Sequence, residues 1–344
     1  MSAVEGSEQE RQKRATMLDV ARHAGVSHQT VSRYLRNNGG LKPATIERID
    51  RAVQELDYRP NLIARSMRTM RSNRIAVVLP ELSEFVPTAT LRGAGAVAHE
   101  AGLLIDVVSL EGNERNRRDR VLELLNGERV DGILSLTPLG EILDSPQIPG
   151  LAPIVVVGEY DDKMRSRGVF ADGAPAAEII EYLASLGHRR FLHVAGSSEW
   201  ASARNRRDVY IETIDRLGLE SYGVVDGDWS VRSGYEAARD LPSNSGVTAV
   251  LGANDYVALG VIRGFQDRGV RVPDDVSVFG WDDEQFTQYM SPTMSTVALD
   301  KERQGRQAMQ TLIARVQGET PPVFNVEKSG RLIPRGSSGP APRI

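Results

Sequence analysis

The sequence predicts an all-α head joined to a two-lobed α/β body built on two doubly wound parallel sheets. Three observations carry that reading. Lysine and arginine crowd into one end of an otherwise acidic chain. Caps and apolar spacings mark short helices over residues 16–58. Beyond residue 72, apolar runs alternate with helical stretches almost to the end of the chain.

The formal charge of −4 hides this asymmetry. Residues 11–74 hold 14 Lys/Arg against 5 Asp/Glu, or +9, and the remainder holds 28 against 41, or −13. A basic head on an acidic body calls for a polyanionic partner at the head; on charge alone a solvated basic face is the alternative. Cysteine is absent, which excludes disulfides, thiolate nucleophiles and cysteine-held zinc and fits a reducing cytosol. The first residues lack the apolar core of a signal peptide, and no apolar run approaches the ~20 residues of a membrane span, so a cytoplasmic protein with no membrane partner is expected.

Residues 1–15 are polar and aperiodic and read as a disordered leader. Thr16 and Asp19 form a capping pair for a first helix, with Leu18, Val20 and Ala21 as its apolar residues. Gly25 permits a tight turn, and Ser27 caps a second helix over 28–35 with Val31 and Leu35 inward. Asn37 to Gly40 make a loop. Pro43 suits the first turn of a third helix that lines up Ile46, Ile49, Val53 and Leu56 on one side. Arg59-Pro60-Asn61 ends it, and 62–70 has the length of one more short helix, marginal in isolation.

In the body, strands are expected at 75–79, 104–108, 132–136, 154–157, 190–194, 249–252 and 276–279. Helices are expected at 89–101, 118–126, 174–186, 203–217, 234–239, 255–268 and 301–315. Near-continuous apolar strands separated by helices indicate parallel sheets covered on both faces, wound right-handed. The domain plan is a leader 1–15, a head 16–58, a hinge and linker 59–72, a body 73–335, and a flexible tail 336–344. The two lobes of the body fall near 73–172 and 173–298, with chain crossovers near 172, 298 and 321.

The sharpest motif is residues 16–36, TMLDVARHAGVSHQTVSRYLR, a helix-turn-helix. Its second helix exposes His28, Gln29, Ser32 and Arg33, side chains able to reach base edges or phosphates in a major groove. An ordinary helical hairpin would lack the basic surroundings. Gly93-Ala-Gly95-Ala-Val-Ala98 loosely matches a dinucleotide fingerprint but lies inside a helical stretch well past its strand, so it is rejected. His188 and His193 have no legible ligand set, and no Gly-x-Ser-x-Gly elbow is present, so neither an enzyme, a cofactor nor a metal site is expected.

The helix-turn-helix resembles that of the lactose-repressor family of regulators through Thr16, Asp19, Val20, Ala21, Gly25, Val26, Ser27, Thr30, Val31, Ser32, Arg33 and Pro60-Asn61, and the resemblance runs to about residue 335. It implies that His28, Gln29 and Arg33 read bases and that Thr16, Ser27, Ser32 and Thr45 meet phosphates. His28 departs from the tyrosine of the lactose repressor. The family's hinge helix would fall at 62–70, with Ala64, Met67 and Arg68 at the minor groove, Met67 replacing a wedging leucine, and Arg65 and Arg71 nearby.

The body resembles the family's effector module, which shares the fold of periplasmic sugar-binding proteins. The resemblance implies an effector site of Arg206, Trp229, Asn254 and Asp282, an aromatic plate with polar groups suited to a polyol. Asp255 reads as the cap of the helix that follows. In the first lobe, Pro80 and Gly158 replace polar ligand contacts of the lactose repressor, with Glu159 and Asp172 as substitutes.

The expected protein is therefore a homodimeric DNA-binding repressor on a pseudo-palindromic operator, released by a small sugar or sugar derivative. Its dimer surface is expected near 89–101, and no tail-mediated tetramer is expected. The other readings are a co-repressed or activating regulator and a sugar-binding module with no role on DNA.

Overall fold

The structure, a computed structural model, describes residues 15–35, 40–58, 71–79, 87–126, 130–137, 139, 142–143, 151–157, 173–324 and 330–343. The expected leader apart from Ala15, the hinge residues Ala64, Arg65, Met67 and Arg68, and Pro80, Gly158, Glu159 and Asp172 lie outside the described residues. The chain divides into two compact units, Met1–Arg71 and Ser72–Ile344.

In the first unit, Thr16 and Asp19 form a reciprocal capping box that starts α1 (Met17–His23). Gly25 sits at φ +60°, the left-handed conformation that lets the chain turn at once. Ser27 then caps α2 (His28–Tyr34) by accepting from the Thr30 N–H at 3.1 Å. Pro43 occupies the first turn of α3 (Pro43–Glu55). The core is small: Val20, Ala21, Ala24, Val31, Ile49, Ala52 and Tyr58. Two polar ties brace it, Tyr34 Oη donating to Asp50, and His23 Nε2 lying 2.5 Å from Glu55 Oε2. Two apolar residues of these helices face solvent. Leu18 is 60% exposed and Ile46 37% exposed, because a core one side chain deep uses a narrow stripe of each helix.

The second unit begins with a four-stranded parallel sheet, β1 (Arg74–Leu79), β2 (Leu104–Ser109), β3 (Gly132–Ser135) and β4 (Ile154–Val156), ordered β2-β1-β3-β4. Helices α4 (Thr88–Glu100) and α5 (Glu114–Asn126) connect its strands. A second parallel sheet holds β5 (Arg190–Val194), β6 (Glu220–Val225), β7 (Ala249–Gly252) and β8 (Ser277–Phe279), ordered β6-β5-β7-β8. Its helices are α6 (Ala174–Ser185), α7 (Ala201–Arg216), α8 (Val231–Asp240) and α9 (Asp255–Asp267). Both sheets reverse strand order beside their first strand, the topology that opens a crevice at the carboxyl ends.

After β8 the chain forms β9 (Thr296–Ala298), then α10 (Lys301–Gln317), whose Met309 and Leu312 join Ile75, Val77, Leu79 and Leu134 in the core of the first sheet. It returns as β10 (Arg331–Ile333), antiparallel to β9. The glycines of the rejected fingerprint have a packing reason. A Cβ on Gly93 would fall 1.9 Å from the Glu302 carbonyl oxygen, and one on Gly305 would fall 2.0 Å from that of Thr90. They let α4 and α10 approach backbone to backbone, so the Thr90, Gly93, Ala94 and Ala98 face of α4 is covered by a helix of the same chain.

Three strands escaped the sequence reading: β6, whose first three residues are exposed, and the three-residue β9 and β10. The expected flexible tail is also corrected. Ser337 is fully buried, its N–H donates to the Thr293 carbonyl, its hydroxyl to Val278 O at 2.7 Å, and the Val278 N–H returns a bond to Ser337 O. Gly339 O meets His188 Nε2 at 3.0 Å and the Ala341 N–H donates to Leu186 O, so the segment runs along β8 with its backbone groups satisfied there.

Candidate functional site

On the first unit, the small core holds Val31 inward and leaves His28, Gln29 and Arg33 exposed along α2. Thr16 and Ser27 spend their hydroxyls locally: Thr16 Oγ1 donates to Asp19 Oδ2 at 2.7 Å, and Ser27 Oγ lies 2.8 Å from Thr30 Oγ1. Ser32 and Thr45 are half-buried. A two-helix unit with one exposed polar and basic face has the form that enters a DNA groove.

On the second unit, four segments bring Arg206, Trp229, Asn254 and Asp282 together at the carboxyl ends of β5, β7 and β8 and the turn after β6. Arg206 projects from α7 and is buried. Its Nη1 donates to the Ala253 carbonyl just past β7, and its guanidinium carbon lies 4.0 Å from the ring centre of Trp281 and 5.6 Å from that of Trp229. Burial lowers its pKa to about 10, against the pull of Asp282 and Asp255, so it stays charged at neutral pH.

Trp229 holds a left-handed backbone, φ +71°, and its ring covers Gly196, where a Cβ would fall 2.4 Å from the indole. Trp200 meets it edge-on, centroids 6.0 Å apart at 76°. The chain's three tryptophans thus converge here. Arg206 Nε, Trp229 Nε1 and Trp281 Nε1 are shielded from solvent and have no acceptor among the described residues. Three orphaned N–H donors around one aromatic plate constitute a demand for acceptor oxygens.

The acidic side is the turn Asp282-Asp283-Glu284, with φ +120° at Asp282 and +56° at Asp283. Cations from distant segments hold it. Lys301 Nζ lies 3.2 Å from Asp282 Oδ2 and 3.0 Å from Glu284 Oε1, and Arg335 Nη2 lies 2.6 Å from Asp283 Oδ1. Burial works against the Lys301 ammonium, but Asp282 and Glu284 outweigh it and raise its pKa. Asp255 lies behind, fully buried, accepting from Thr296 Oγ1 at 2.6 Å and the Glu284 N–H at 2.8 Å. Burial first, and repulsion from Asp282 second, push its carboxyl up to about 7.

Asp255 is not the cap of α9. Asn254 is, its Oδ1 accepting from the Val257 N–H at 2.8 Å while its Nδ2 donates to the Trp229 carbonyl at 3.2 Å. The sequence reading missed Trp200, Trp281 and Lys301. Its available signal was that all three tryptophans stand next to polar turns at strand ends. His193, on β5, is structural: Nδ1 lies 3.1 Å from the Leu251 carbonyl, and burial lowers its pKa to about 4. No helix among the described residues is long and apolar enough to cross a membrane.

The profile described as bacterial regulatory proteins, lacI family, matches residues 16–61, and that of a periplasmic binding protein-like domain matches 180–338. The regulator CelR of Thermobifida fusca is 32% identical over 90% of this chain and 94% of its own length. The ribose operon repressor of Escherichia coli K12 is 30% identical over 94% of this chain and all of its own. Among solved structures, a lac repressor dimer bound to operator and the anti-inducer ONPF superposes with a TM-score of 0.78 at 26% identity, over 95% of this chain and all of that one. A CelR–cellobiose complex superposes at 0.67 with 29% identity, over 94% and 100%. Exposed reading helix, paired parallel sheets and strand-end cluster all lie within those matches, and the chain belongs to the lacI family of bacterial regulatory proteins.

Proposed function

We propose that this chain is a cytoplasmic, homodimeric transcriptional repressor, not an enzyme, which holds a pseudo-palindromic operator and is released by a small sugar or sugar derivative. The observation that carries the effector half is the trio of orphaned donors on Arg206, Trp229 and Trp281 beside the Asp282 carboxylate. Sugar hydroxyls both accept and donate: they satisfy the N–H groups, donate to Asp282, and leave an apolar C–H face for Trp229. Asn254, already bonded to the Trp229 carbonyl, keeps that plate in place and offers its second amide hydrogen to the ligand. In the relatives, a cellobiose complex and the name of the ribose operon repressor support this ligand class.

The reading half rests on the exposed His28, Gln29 and Arg33. Arg33 donates to a guanine edge, His28 and Gln29 to neighbouring bases, and Thr16, Ser27, Ser32 and Thr45 set the register against phosphates. Ala64, Met67 and Arg68 form the minor-groove part of the reading. An effector acts only through unequal affinity for the DNA-bound and released forms; a hundredfold change in occupancy needs about 2.7 kcal/mol of coupling.

The test pairs two variants on duplexes selected from random DNA by the wild-type protein, with a panel of mono- and disaccharides followed by tryptophan fluorescence. Arg33→Ala loses about 2–6 kcal/mol over two half-sites and keeps its sugar response. Arg206→Ala binds DNA normally and ignores the sugar. A selected sequence without inverted symmetry, or a sugar response that survives in Arg206→Ala, refutes the corresponding half.

A further inference from the structure

The body begins at Ser72, and its first two residues are held by an unusual concentration of polar bonds. Asp131, just ahead of β3, accepts from the Ser72 N–H at 2.7 Å and the Ser72 hydroxyl at 2.9 Å with Oδ1, and from the Asn73 N–H at 2.9 Å with Oδ2. The Ser72 hydroxyl oxygen also accepts from the Arg74 N–H at 3.2 Å. The clamp closes on backbone as well: the Asp131 N–H donates to Arg74 O at 2.7 Å and the Leu104 N–H to Asn73 O at 2.9 Å. Inside this cage Asn73 holds φ +54°, a left-handed conformation that a non-glycine residue adopts only when its surroundings require it.

The two backbone bonds continue the pairing of β1 with its neighbours, whereas the side-chain bonds to Asp131 lie outside that ladder. That strand has five fully buried apolar residues in a row and parallel partners on both sides. The residues of the clamp are only half-buried, and none of Arg71, Ser72, Asn73 and Arg74 is an apolar anchor. What the bonds specify is the place and direction of the backbone immediately before the strand, where the chain continues into residues 59–71 and the reading head. A carboxylate accepting three N–H or O–H bonds does this more rigidly than neutral contacts, because charge-assisted bonds are shorter and stronger.

We propose that Asp131 is a positioning residue of the operator-binding apparatus: by gripping Ser72 and Asn73 it fixes the point from which each subunit extends its head, and so sets the half-site separation the dimer accepts. This rests on the dimeric, two-half-site reading above. A fixed exit from each body makes the two heads a ruler; a frayed exit lets each head find its half-site independently.

The experiment uses the full chain and its selected duplex, the same duplex with the half-sites moved apart by two base pairs, and a single half-site, with Kd read by fluorescence anisotropy. Two added base pairs displace one half-site by about 7 Å and rotate it by about 70°. Wild-type protein should lose affinity on the order of a hundredfold on the lengthened duplex, since binding there requires one head to give up its contacts. Asp131→Asn, which sets an amide against the Asn73 N–H, should reduce that penalty to about threefold or less while single-half-site affinity stays unchanged. Ser72→Ala removes one of the three bonds to Asp131, together with the acceptor of the Arg74 N–H, and should give an intermediate penalty; it also decides the matter if Asp131→Asn fails to fold. A wild-type spacing penalty in both variants, or parallel losses on half-site and full site, overturns the inference. Absence of a spacing penalty in the wild-type protein overturns the inference alone, whereas a selected duplex without inverted symmetry overturns the dimeric reading, and the inference with it.

Discussion

The reading head and the strand-end cluster are built in opposite ways. In the head, the caps and the turn that shape the helix-turn-helix are local, Thr16 to Asp19, Ser27 to Thr30 and a glycine between them, and only the Tyr34–Asp50 and His23–Glu55 ties and a small shared core join it to α3 among the described residues. The cluster takes Arg206, Trp229, Asn254, Asp282, Lys301 and Arg335 from six different segments, and almost every polar tie in it crosses between elements. The head is therefore a thin structure whose surface is its function. The cluster is a charged interior whose stability depends on compensation: Lys301 against two carboxylates, and Arg206 against Asp282 and Asp255. Buried charge is tolerated where a partner is present and costly where one is removed.

That contrast can be broken most forcefully at Lys301. Lys301→Met leaves Asp282 and Glu284 without their cation and should cost about 3–5 kcal/mol in unfolding followed by tryptophan fluorescence. This signal comes from the body alone, because the tryptophans are at 200, 229 and 281. The head answers to packing instead. Ile49→Ala should cost the head about 2–5 kcal/mol by far-UV circular dichroism and leave the tryptophan transition unmoved; a shift in both would mean that the two units unfold together.

Asp255 tests the electrostatic side with a sign. Its folded pKa of about 7 lies above its ordinary 3.8, so the fold favours the neutral acid. Its contribution is fully present below pH 4 and is lost as the pH rises through 7. Asp255→Asn removes that titration, so its stability relative to wild type should improve by on the order of 2 kcal/mol between pH 5 and pH 8. A pH-independent difference would show that the buried carboxyl does not titrate in this range. The smallest effect belongs to a local cap. Ser27→Ala should cost the head about 1 kcal/mol, with Ser27→Asn restoring most of it.

The same contrast explains how far the sequence could be read. Caps, turn glycine and helix-initiating proline act over three or four residues, so α1, α2 and α3 were legible in outline. The central strands β1 and β5 were legible for a similar reason, since a strand buried on both faces announces itself by composition. Leu18 and Ile46 are apolar yet exposed, since helical spacing cannot say how deep the core is. The sequence points to Asp255 as a cap where Asn254 serves, because adjacent polar residues at a helix start are equivalent until the preceding strand fixes the frame. Gly93 resembled a phosphate-binding turn because glycine marks any close approach of backbone, and only the packing of α4 on α10 shows what approaches it.

By itself, the sequence determined the class of each half: a basic helix-turn-helix, two parallel sheets, and the residue types that gather at their strand ends. Tertiary structure alone decided the pairings. It set Lys301 and Arg335 against the acids of 282–284, closed the orphaned donors of Arg206, Trp229 and Trp281 around one place, laid the last residues along β8, and clamped Ser72 and Asn73 to Asp131. The physical reason is range. Propensity, capping and periodicity act within a few residues, whereas charge compensation and hydrogen-bond satisfaction are settled between whatever groups the finished fold brings within about 3 Å.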